Sequence, residues 1–340
     1  MEIKKWIKKS WEFINPNPPI LVLMYHRVIN SSIDPWELAV SPQNFEQQLS
    51  ILKSSRLLVP LSQISEMIHE KRMMKPSIAI TFDDGYMDNY LYAKPLLEAF
   101  ELPATFFISN LHIGTQKVFW WDELGQILLE TPTLPKVLSL NIKGSLFSFD
   151  LGNEKVLTEE LKRQHKLWNA SMPPPSLRSQ LYLMLWQILG EVDYKEQQTI
   201  LAALREWAGI NEGPTNSLDI SMIKAQLQSL SASPLFSIGA HTVSHPLLHL
   251  LPKEKQKMEI MENKQYLESM LNLSIDAFAY PSGKYNDFTK EELKAQGFKT
   301  AFTTNQRPIE GKGDPYQMGR FQVKNWIGPE FKQVLANWLA

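Results

Sequence analysis

The sequence contains no cysteine, so disulfide bonds and thiolate metal ligands are excluded. Any metal ion must therefore be held by histidine, aspartate or glutamate side chains. No apolar run approaches the roughly 20 residues that are needed to cross a bilayer. The formal net charge is only -1, which gives no global positive field, so we expect no binding to nucleic acid.

The N-terminal segment, residues 1–18, is basic but lacks the apolar centre of a signal peptide, because Glu12 and Asn15 interrupt it. On a helix, Ile3 and Trp6 would share a face opposite several lysines. Such a helix either packs on its own domain or makes a peripheral contact with an anionic membrane. We expect a cytoplasmic protein, membrane-peripheral in the second case. The sequence predicts no particular oligomeric state.

What the sequence does contain is an alternation of short apolar strands with amphipathic helices, in a chain of 340 residues that is 44% apolar and can bury a large core. The predicted strands are residues 20–28, 78–82, 104–109 and 235–242, and segments that begin at residues 275, 300 and 320. This alternation is typical of an α/β fold with a parallel sheet of about seven strands, either closed as a barrel or open and doubly wound.

The alternation breaks between about residues 120 and 215, after the third predicted strand. Within this range "KVLSLNIKGSLFSFDLG" indicates a hairpin, and the remainder is mostly helical. We therefore predict a single domain over residues 19–340, with a largely helical insertion at about residues 120–215.

Two adjacent carboxylates, Asp83 and Asp84, follow the second predicted strand, and Gly85 supplies a turn. Adjacent ionised carboxylates repel each other, and on burial one of them becomes neutral unless a cation lies nearby. The alternative is an ordinary acidic turn that is solvated at the surface.

A possible partner for these carboxylates is "GAHTVSH", where His241 ends a later strand and His245 follows four residues on. The two imidazoles would face the same side if the chain turns helically there. In a βα barrel the carboxyl ends of all strands open on one face, so these residues would meet. Two imidazoles and one carboxylate suit a divalent metal ion such as zinc, which leaves the second aspartate free to act as a base.

In this order and spacing, "TFDDGY", "HTVSH" and "AYPSG" resemble the metal-dependent polysaccharide deacetylases with the NodB homology domain, carbohydrate esterase family 4. The stretches "LMYHRV" and "ATFFIS" match the usual surroundings of these motifs. The resemblance implies a distorted (β/α) barrel and a carbohydrate N-deacetylase that removes N-acetyl groups from an oligo- or polysaccharide containing amino sugars. It also implies that Asp83 is the general base and that Asp84, His241 and His245 are the metal ligands.

In the family a backbone N–H after the motif proline stabilises the oxyanion, which here corresponds to Ser282 after Pro281. The sequence departs from the family pattern at two places. Many members have an arginine where this chain has Ala279, and Arg320 is the candidate to replace it, unless it forms only a surface ion pair. Many members also carry a late Leu-x-His that supplies the general acid, whereas no histidine follows His249 here.

The best replacement for the missing general acid is His26, which ends the first predicted strand beside the strand that precedes Asp83. Alternatively, His26 only hydrogen-bonds the aspartate pair or the loop, and His112 is a weaker candidate. We expect Tyr86 and Trp121 to contact the sugar, since a pyranose ring can stack on an exposed aromatic face. The alternative for Trp121 and its neighbour Trp120 is simple packing.

Two other functions compete with the deacetylase prediction. The first is a metal-containing glycan-binding module without catalytic activity, which the absent late histidine would explain. The second is a phosphotransferase with an aspartate nucleophile, although such enzymes use D-x-D spacing and this chain has adjacent aspartates.

Overall fold

The computed structural model describes residues 19–70, 75–210, 218–310 and 313–340. The predicted basic segment, with its helical face and membrane contact, lies outside these residues, and the cytoplasmic location stays a prediction. In the part of the chain that the structure describes, no helix is long and apolar enough to span a membrane.

The strands are short and mostly buried. In chain order they are β1 (Ile20–Tyr25), β2 (Arg27–Val28), β3 (Ala39–Val40), β4 (Ser77–Phe82), β5 (Ala104–Ile108), β6 (Val137–Ile142), β7 (Ser145–Asp150), β8 (Phe236–Ala240), β9 (Ala277–Ala279), β10 (Thr300–Phe302) and β11 (Phe321–Gln322).

Helices connect these strands and cover the outside of the sheet. They are α1 (Pro42–Ser55), α2 (Leu61–His69), α3 (Lys94–Phe100), α4 (Trp120–Gly125), α5 (Glu159–Leu167), α6 (Leu177–Gly190), α7 (Tyr194–Ala208), α8 (Lys224–Ser231), α9 (Lys253–Leu271), α10 (Asp287–Ala295) and α11 (Gly328–Leu339). Wider π-helical turns at Asn89–Ala93 and Gln126–Glu130 precede α3 and follow α4.

Seven strands form one parallel sheet in the order β10-β9-β8-β5-β4-β1-β11. The sheet curls into a half-barrel with helices outside it, which confirms the predicted distorted (β/α) barrel of about seven strands. The prediction of one continuous strand over residues 20–28 is wrong at its end. The chain leaves the sheet after Tyr25, because the backbone N–H of Arg27 donates to Leu38 and β2 pairs with β3.

The alternation of side chains along β4 places the first carboxylate at the mouth of the barrel. Ile78, Ile80 and Phe82 pack in the core between the sheet and the outer helices, whereas Ala79 belongs to the core inside the barrel. Because successive side chains of a strand point to opposite faces, Asp83 continues the inward series. Helix α2 packs against this inner core and closes the other end of the barrel.

Residues 120–210, which we call the cap, have a hydrophobic core of their own, formed by α4, α6, α7 and the antiparallel β6–β7 hairpin. Trp120 packs in this core and is 8% exposed, so it presents little surface to a substrate. The buried guanidinium of Arg178 links separate segments of the cap. It donates to four backbone carbonyls, those of Leu128, Thr131, Glu154 and Lys155. The division into one barrel domain and an insertion stays a prediction.

Candidate active site

Three of the predicted site residues, Asp84, His241 and His245, come together at the carboxyl ends of β4 and β8. Oδ1 of Asp84 lies 3.4 Å from Nε2 of His241 and 3.5 Å from Nε2 of His245. One possible ligand atom from each residue lies within 4.8 Å of the other two. Asp84 and His241 are buried, and the His245 side chain is 14% exposed. The three side chains are therefore within reach of one ion.

The atoms that face each other in this cluster fit a cation. Nδ1 of His241 lies 2.8 Å from the carbonyl oxygen of Ala279, and a carbonyl only accepts, so Nδ1 carries the hydrogen. In its neutral form, which binding of a cation would favour, this ring presents the lone pair of Nε2 to Asp84. Oδ1 of Asp84 is buried and has no hydrogen-bond partner among the described residues. A buried carboxylate oxygen without a partner is unfavourable unless a cation lies beside it, and this set of donors suits a divalent metal ion.

The protonation states of the cluster also fit. Burial alone would raise the pKa of Asp84, but the neighbouring imidazoles lower it below its usual value. Burial lowers the pKa of His245 to about 4, so this ring is neutral near pH 7. Burial would also lower the pKa of His241, but Asp83 and Asp84 raise it. Asp84 and His245 are thus in the forms that bind metal.

His245 lies on an irregular loop, and the helical turn that would have brought it to the same side as His241 does not form. Residues 241–247 form no helix, and both Thr242 and His245 have a positive φ, of 67° and 57°. The backbone N–H of His245 donates to Oγ1 of Thr242 at 3.0 Å. The two imidazoles still meet, with ring centroids 4.9 Å apart, because these left-handed residues turn the chain back on itself.

Helix α9 supports this loop through two side chains that the sequence analysis missed. The carboxylate of Glu259 accepts from the backbone N–H groups of Val243 and Ser244, each at 2.9 Å, and from the Ser244 hydroxyl at 2.6 Å. Four residues on, Oδ1 of Asn263 accepts from the backbone N–H of His241 at 3.1 Å. Residues at i and i+4 share a helix face, so α9 fixes the loop at both points. The available signal was this pair of polar residues four positions apart on the face of α9 that packs against the barrel.

Asp83 lies next to the cluster and is held by Arg320. Nη1 and Nη2 of the guanidinium each lie 2.7 Å from a different oxygen of the Asp83 carboxylate, and Arg320 is fully buried. Arg320 precedes β11 and reaches across the barrel interior, where its Nε donates to the carbonyl of Thr303. Burial would raise the pKa of Asp83, but Arg320 lowers it, so Asp83 is ionised near pH 7.

The two histidines considered as proton donors lie in different places. Nε2 of His26 is 4.0 Å from Oδ2 of Asp83, and the His26 side chain is 14% exposed. By contrast, His112 is 5% exposed and packs against Phe119 and Tyr194. Burial lowers the pKa of His112 to about 4, so this ring is neutral near pH 7 and is a poor general acid.

Tyr86 and Trp121, the two predicted sugar contacts, have different surroundings. Tyr86 is fully buried, so its ring has no free face for a substrate, contrary to the prediction. Its hydroxyl accepts from the Trp121 indole N–H at 2.8 Å and donates to Oδ2 of Asp122 at 2.7 Å. The Trp121 ring lies 4.7 Å from that of His245 and stacks on Phe119 at 4.5 Å. Tyr86 therefore holds Trp121 at the edge of the cluster.

Pro281 and Ser282 form a tight turn after β9. Pro281 is buried, whereas Ser282 is exposed and has a φ of 52°. Gly283 follows with a φ of 67°, and a Cβ there would lie 2.3 Å from Oγ1 and 2.6 Å from the backbone nitrogen of Thr304. Only glycine fits this position, so the close packing against Thr304 fixes the backbone of the turn.

A parallel half-barrel with acidic and imidazole side chains gathered at its carboxyl rim is typical of a barrel enzyme. The profile of the polysaccharide deacetylase family matches residues 70–136 and 195–301, about half of the chain. The chain therefore belongs to the polysaccharide deacetylase family, as its three motifs predicted.

Individual relatives are distant. The poly-beta-1,6-N-acetyl-D-glucosamine N-deacetylase of Escherichia coli (strain K12) is 22% identical over 296 residues, which are 85% of this chain and 34% of that protein. The chain spans about a third of the length of the first curated relatives that it matches.

Two solved structures share the fold over nearly the whole chain. The structure of IcaB from Ammonifex degensii matches with a TM-score of 0.58 and 19% identity, over 95% of this chain and 97% of that one. The Streptococcus pyogenes deacetylase PplD, in complex with acetate, matches with a TM-score of 0.55 and 19% identity, over 96% of this chain and 100% of that one.

Proposed function

We propose that the protein hydrolyses the N-acetyl groups of amino sugars in a polysaccharide, with β-1,6-linked N-acetylglucosamine chains as the substrate class. The observation that carries this proposal is the Asp84, His241 and His245 cluster with the ionised Asp83 beside it. Family membership and the names of the relatives support the same reaction.

In this proposal, Asp84, His241 and His245 hold one divalent metal ion, most readily zinc. When bound, such an ion lowers the pKa of a coordinated water molecule and polarises a carbonyl group. The hydrogen bond from His241 to Ala279 fixes which ring nitrogen faces the site, and such supporting contacts tune metal ligands. Glu259 and Asn263 keep the loop in place for both imidazoles.

Asp83 acts as the general base. It accepts a proton from water as the water oxygen bonds to the acetyl carbon. Arg320 keeps the carboxylate ionised and, by bonding both of its oxygens, fixes its direction. The backbone N–H of Ser282, in the rigid turn after Pro281, stabilises the oxyanion that forms on the former carbonyl oxygen.

His26 supplies the proton to the leaving amine. When the bond between the acetyl carbon and the nitrogen breaks, the nitrogen takes a proton from the imidazole, and acetate and a free amino group are released. The partly exposed side chain of His26, 4.0 Å from Asp83, is at the edge of the site where a sugar nitrogen can reach it.

The direct test is acetate release from β-1,6-linked N-acetylglucosamine oligosaccharides, with and without a chelator. We expect release that stops on chelation and returns when zinc is added. Binding of the oligosaccharide without any release, at full metal occupancy, would show a glycan-binding module instead.

A further inference from the structure

The ring of His26, the proposed proton donor, is not held in place by hydrogen bonds of its own. Nδ1 is buried and has no hydrogen-bond partner among the described residues. Nε2 lies 4.0 Å from Oδ2 of Asp83, which is too far for a hydrogen bond. A general acid must lie within hydrogen-bond reach of the atom that it protonates. The position of this ring therefore depends on packing and on the backbone that carries it.

Two buried side chains fix that backbone on both sides of the imidazole. Nδ2 of Asn89 donates to the carbonyl oxygen of His26 at 2.8 Å, and Oδ1 of Asp88 accepts from the backbone N–H of Val28 at 2.9 Å. The same Oδ1 accepts from Nδ2 of Asn89, which links the two side chains. Asp88 and Asn89 are fully buried, so water does not compete for these bonds.

Arg27, which follows His26, binds the same carboxylate through its side chain. Its Nε donates to Oδ2 of Asp88 at 2.8 Å. Nη1 donates to Oδ1 of Asp219 at 2.7 Å, and Nη2 donates to the carbonyl oxygen of Leu218 at 2.9 Å. Because a guanidinium is planar and its donors have fixed directions, these partners together allow one orientation of the side chain. Strand β2 is thereby fixed relative to Asp88.

The same part of the chain carries the proposed base. Asp83 precedes Asp88 by five positions, and its backbone N–H donates at 3.0 Å to the carbonyl oxygen of Tyr25, the residue before His26. The segment with the acid and the segment with the base are thus joined at two points, from Asp83 to Tyr25 and from Asp88 to Arg27. These contacts set the distance between the two groups.

Stability alone does not account for a buried ion pair at this place. Taking a guanidinium and a carboxylate out of water is unfavourable, and well-packed apolar side chains of the same size often stabilise a core equally well. The polar contacts of Arg27 and Asp88 add direction, since each one fixes a donor against an acceptor. Precise direction is what a proton donor without hydrogen bonds of its own requires.

We propose that Arg27, Asp88 and Asn89 are positioning residues for His26, and that they hold its imidazole where the leaving amine can reach it. The inference rests on the proposed function, because it concerns the proton donor of that reaction. It implies that loss of these contacts slows protonation of the leaving group, while activation of water by Asp83 is less affected.

The test compares two leaving groups in the zinc-loaded full chain. An N-acetylglucosamine oligosaccharide releases an amine, which needs a proton, whereas para-nitrophenyl acetate releases a stable phenolate, which needs none. Asp88→Asn places an NH2 group against the donors that the carboxylate now accepts from. We expect it to lower kcat for the oligosaccharide by roughly 10- to 100-fold with little change in KM, and to keep ester turnover near that of wild type.

Three further variants make this result specific. The double variant of His26→Ala with Asp88→Asn should lose no more oligosaccharide turnover than His26→Ala alone, because both changes act on one proton transfer. Asn89→Ala is a milder change that should show the same pattern, and it takes the place of Asp88→Asn if that variant does not fold. Arg178→Met disturbs a buried arginine of the cap and should keep the wild-type ratio of the two activities. Equal losses on both substrates in Asp88→Asn, or additive losses in the double variant, would overturn the inference.

A measurement without turnover separates this inference from failure of the proposed function. In protein with isotope-labelled histidine, the imidazole resonances of His26 are those that are absent from His26→Ala. We expect them to shift or broaden in Asp88→Asn and in Asn89→Ala, while those of His165 in the cap stay unchanged. Such a change supports the inference even if no acetate is ever released, and unchanged His26 resonances refute it.

Discussion

Arg320 donates two hydrogen bonds of 2.7 Å to the carboxylate of Asp83, although the two residues are far apart in sequence and adjoin strands on either side of β1. The arginine is fully buried, and Asp83 is 2% exposed. A bidentate contact fixes both the charge and the direction of the carboxylate. The proposed base is therefore oriented by the fold before any substrate binds.

Arg320→Lys tests this relationship. Lysine keeps the positive charge but cannot bond both oxygens of Asp83 in one plane, so we expect kcat to fall by roughly 10- to 100-fold with a smaller change in KM. Steady-state kinetics on an oligosaccharide substrate, together with metal content, make the measurement. Full activity in Arg320→Lys would mean that a positive charge beside Asp83 is sufficient for catalysis and that the bidentate contact has no role.

Glu259→Gln tests the support of the histidine loop by α9. The amide keeps one acceptor oxygen but turns the other position into a donor, which opposes the N–H groups of Val243 and Ser244. We expect zinc affinity to weaken by roughly 10- to 100-fold, measured by competition with a chromophoric chelator. Glu262→Gln makes the same change at an exposed position of the same helix and should keep wild-type affinity. Equal affinities in the two variants would contradict the support.

Arg178→Met tests the architecture of the cap. Removing the guanidinium deletes four hydrogen bonds to buried and partly buried backbone carbonyls, so the free energy of unfolding should fall by about 3 kcal/mol, although the carbonyl of Lys155 still accepts from the N–H of Leu134. Urea unfolding followed by circular dichroism gives the value. The surface variant Arg163→Gln should change it by less than about 0.5 kcal/mol. A similar small effect for Arg178→Met would show that the cap does not depend on this side chain.

His112 should make stability depend on pH. The pKa of this histidine is lowered to about 4 in the folded protein because it is buried, whereas unfolded histidine titrates near about 6.5. Its contribution to stability is therefore complete above about pH 6.5 and is lost as the pH falls toward 4, by up to about 1.4 kcal/mol per pH unit.

The comparison that isolates this effect is urea unfolding of wild type and His112→Phe at pH 7 and pH 5. Wild type should lose more stability than the variant between the two pH values, while the exposed-site control His249→Phe should behave like wild type. Parallel loss in wild type and His112→Phe would mean that His112 does not remain neutral in the folded protein.

The sequence predicted the barrel and the meeting of Asp84 with the two histidines, because apolar runs ending in polar residues place those residues at one rim. The helical turn on which the meeting of His241 and His245 was made conditional does not form, because Thr242 and His245 have a positive φ that the spacing does not reveal. The support from Glu259 also escaped prediction, because its partners are backbone groups on another element. Tyr86 was predicted to contact the sugar because it is aromatic. In the structure its ring is fully buried by packing.

Metal analysis of wild type, Asp83→Asn and His241→Ala, with acetate release measured on the same samples, tests the central claim most directly. The account predicts about one zinc ion per chain in wild type and Asp83→Asn, acetate release from wild type alone, and loss of both metal and release in His241→Ala. Metal retained at wild-type affinity in His241→Ala, or undiminished release by Asp83→Asn, would contradict it.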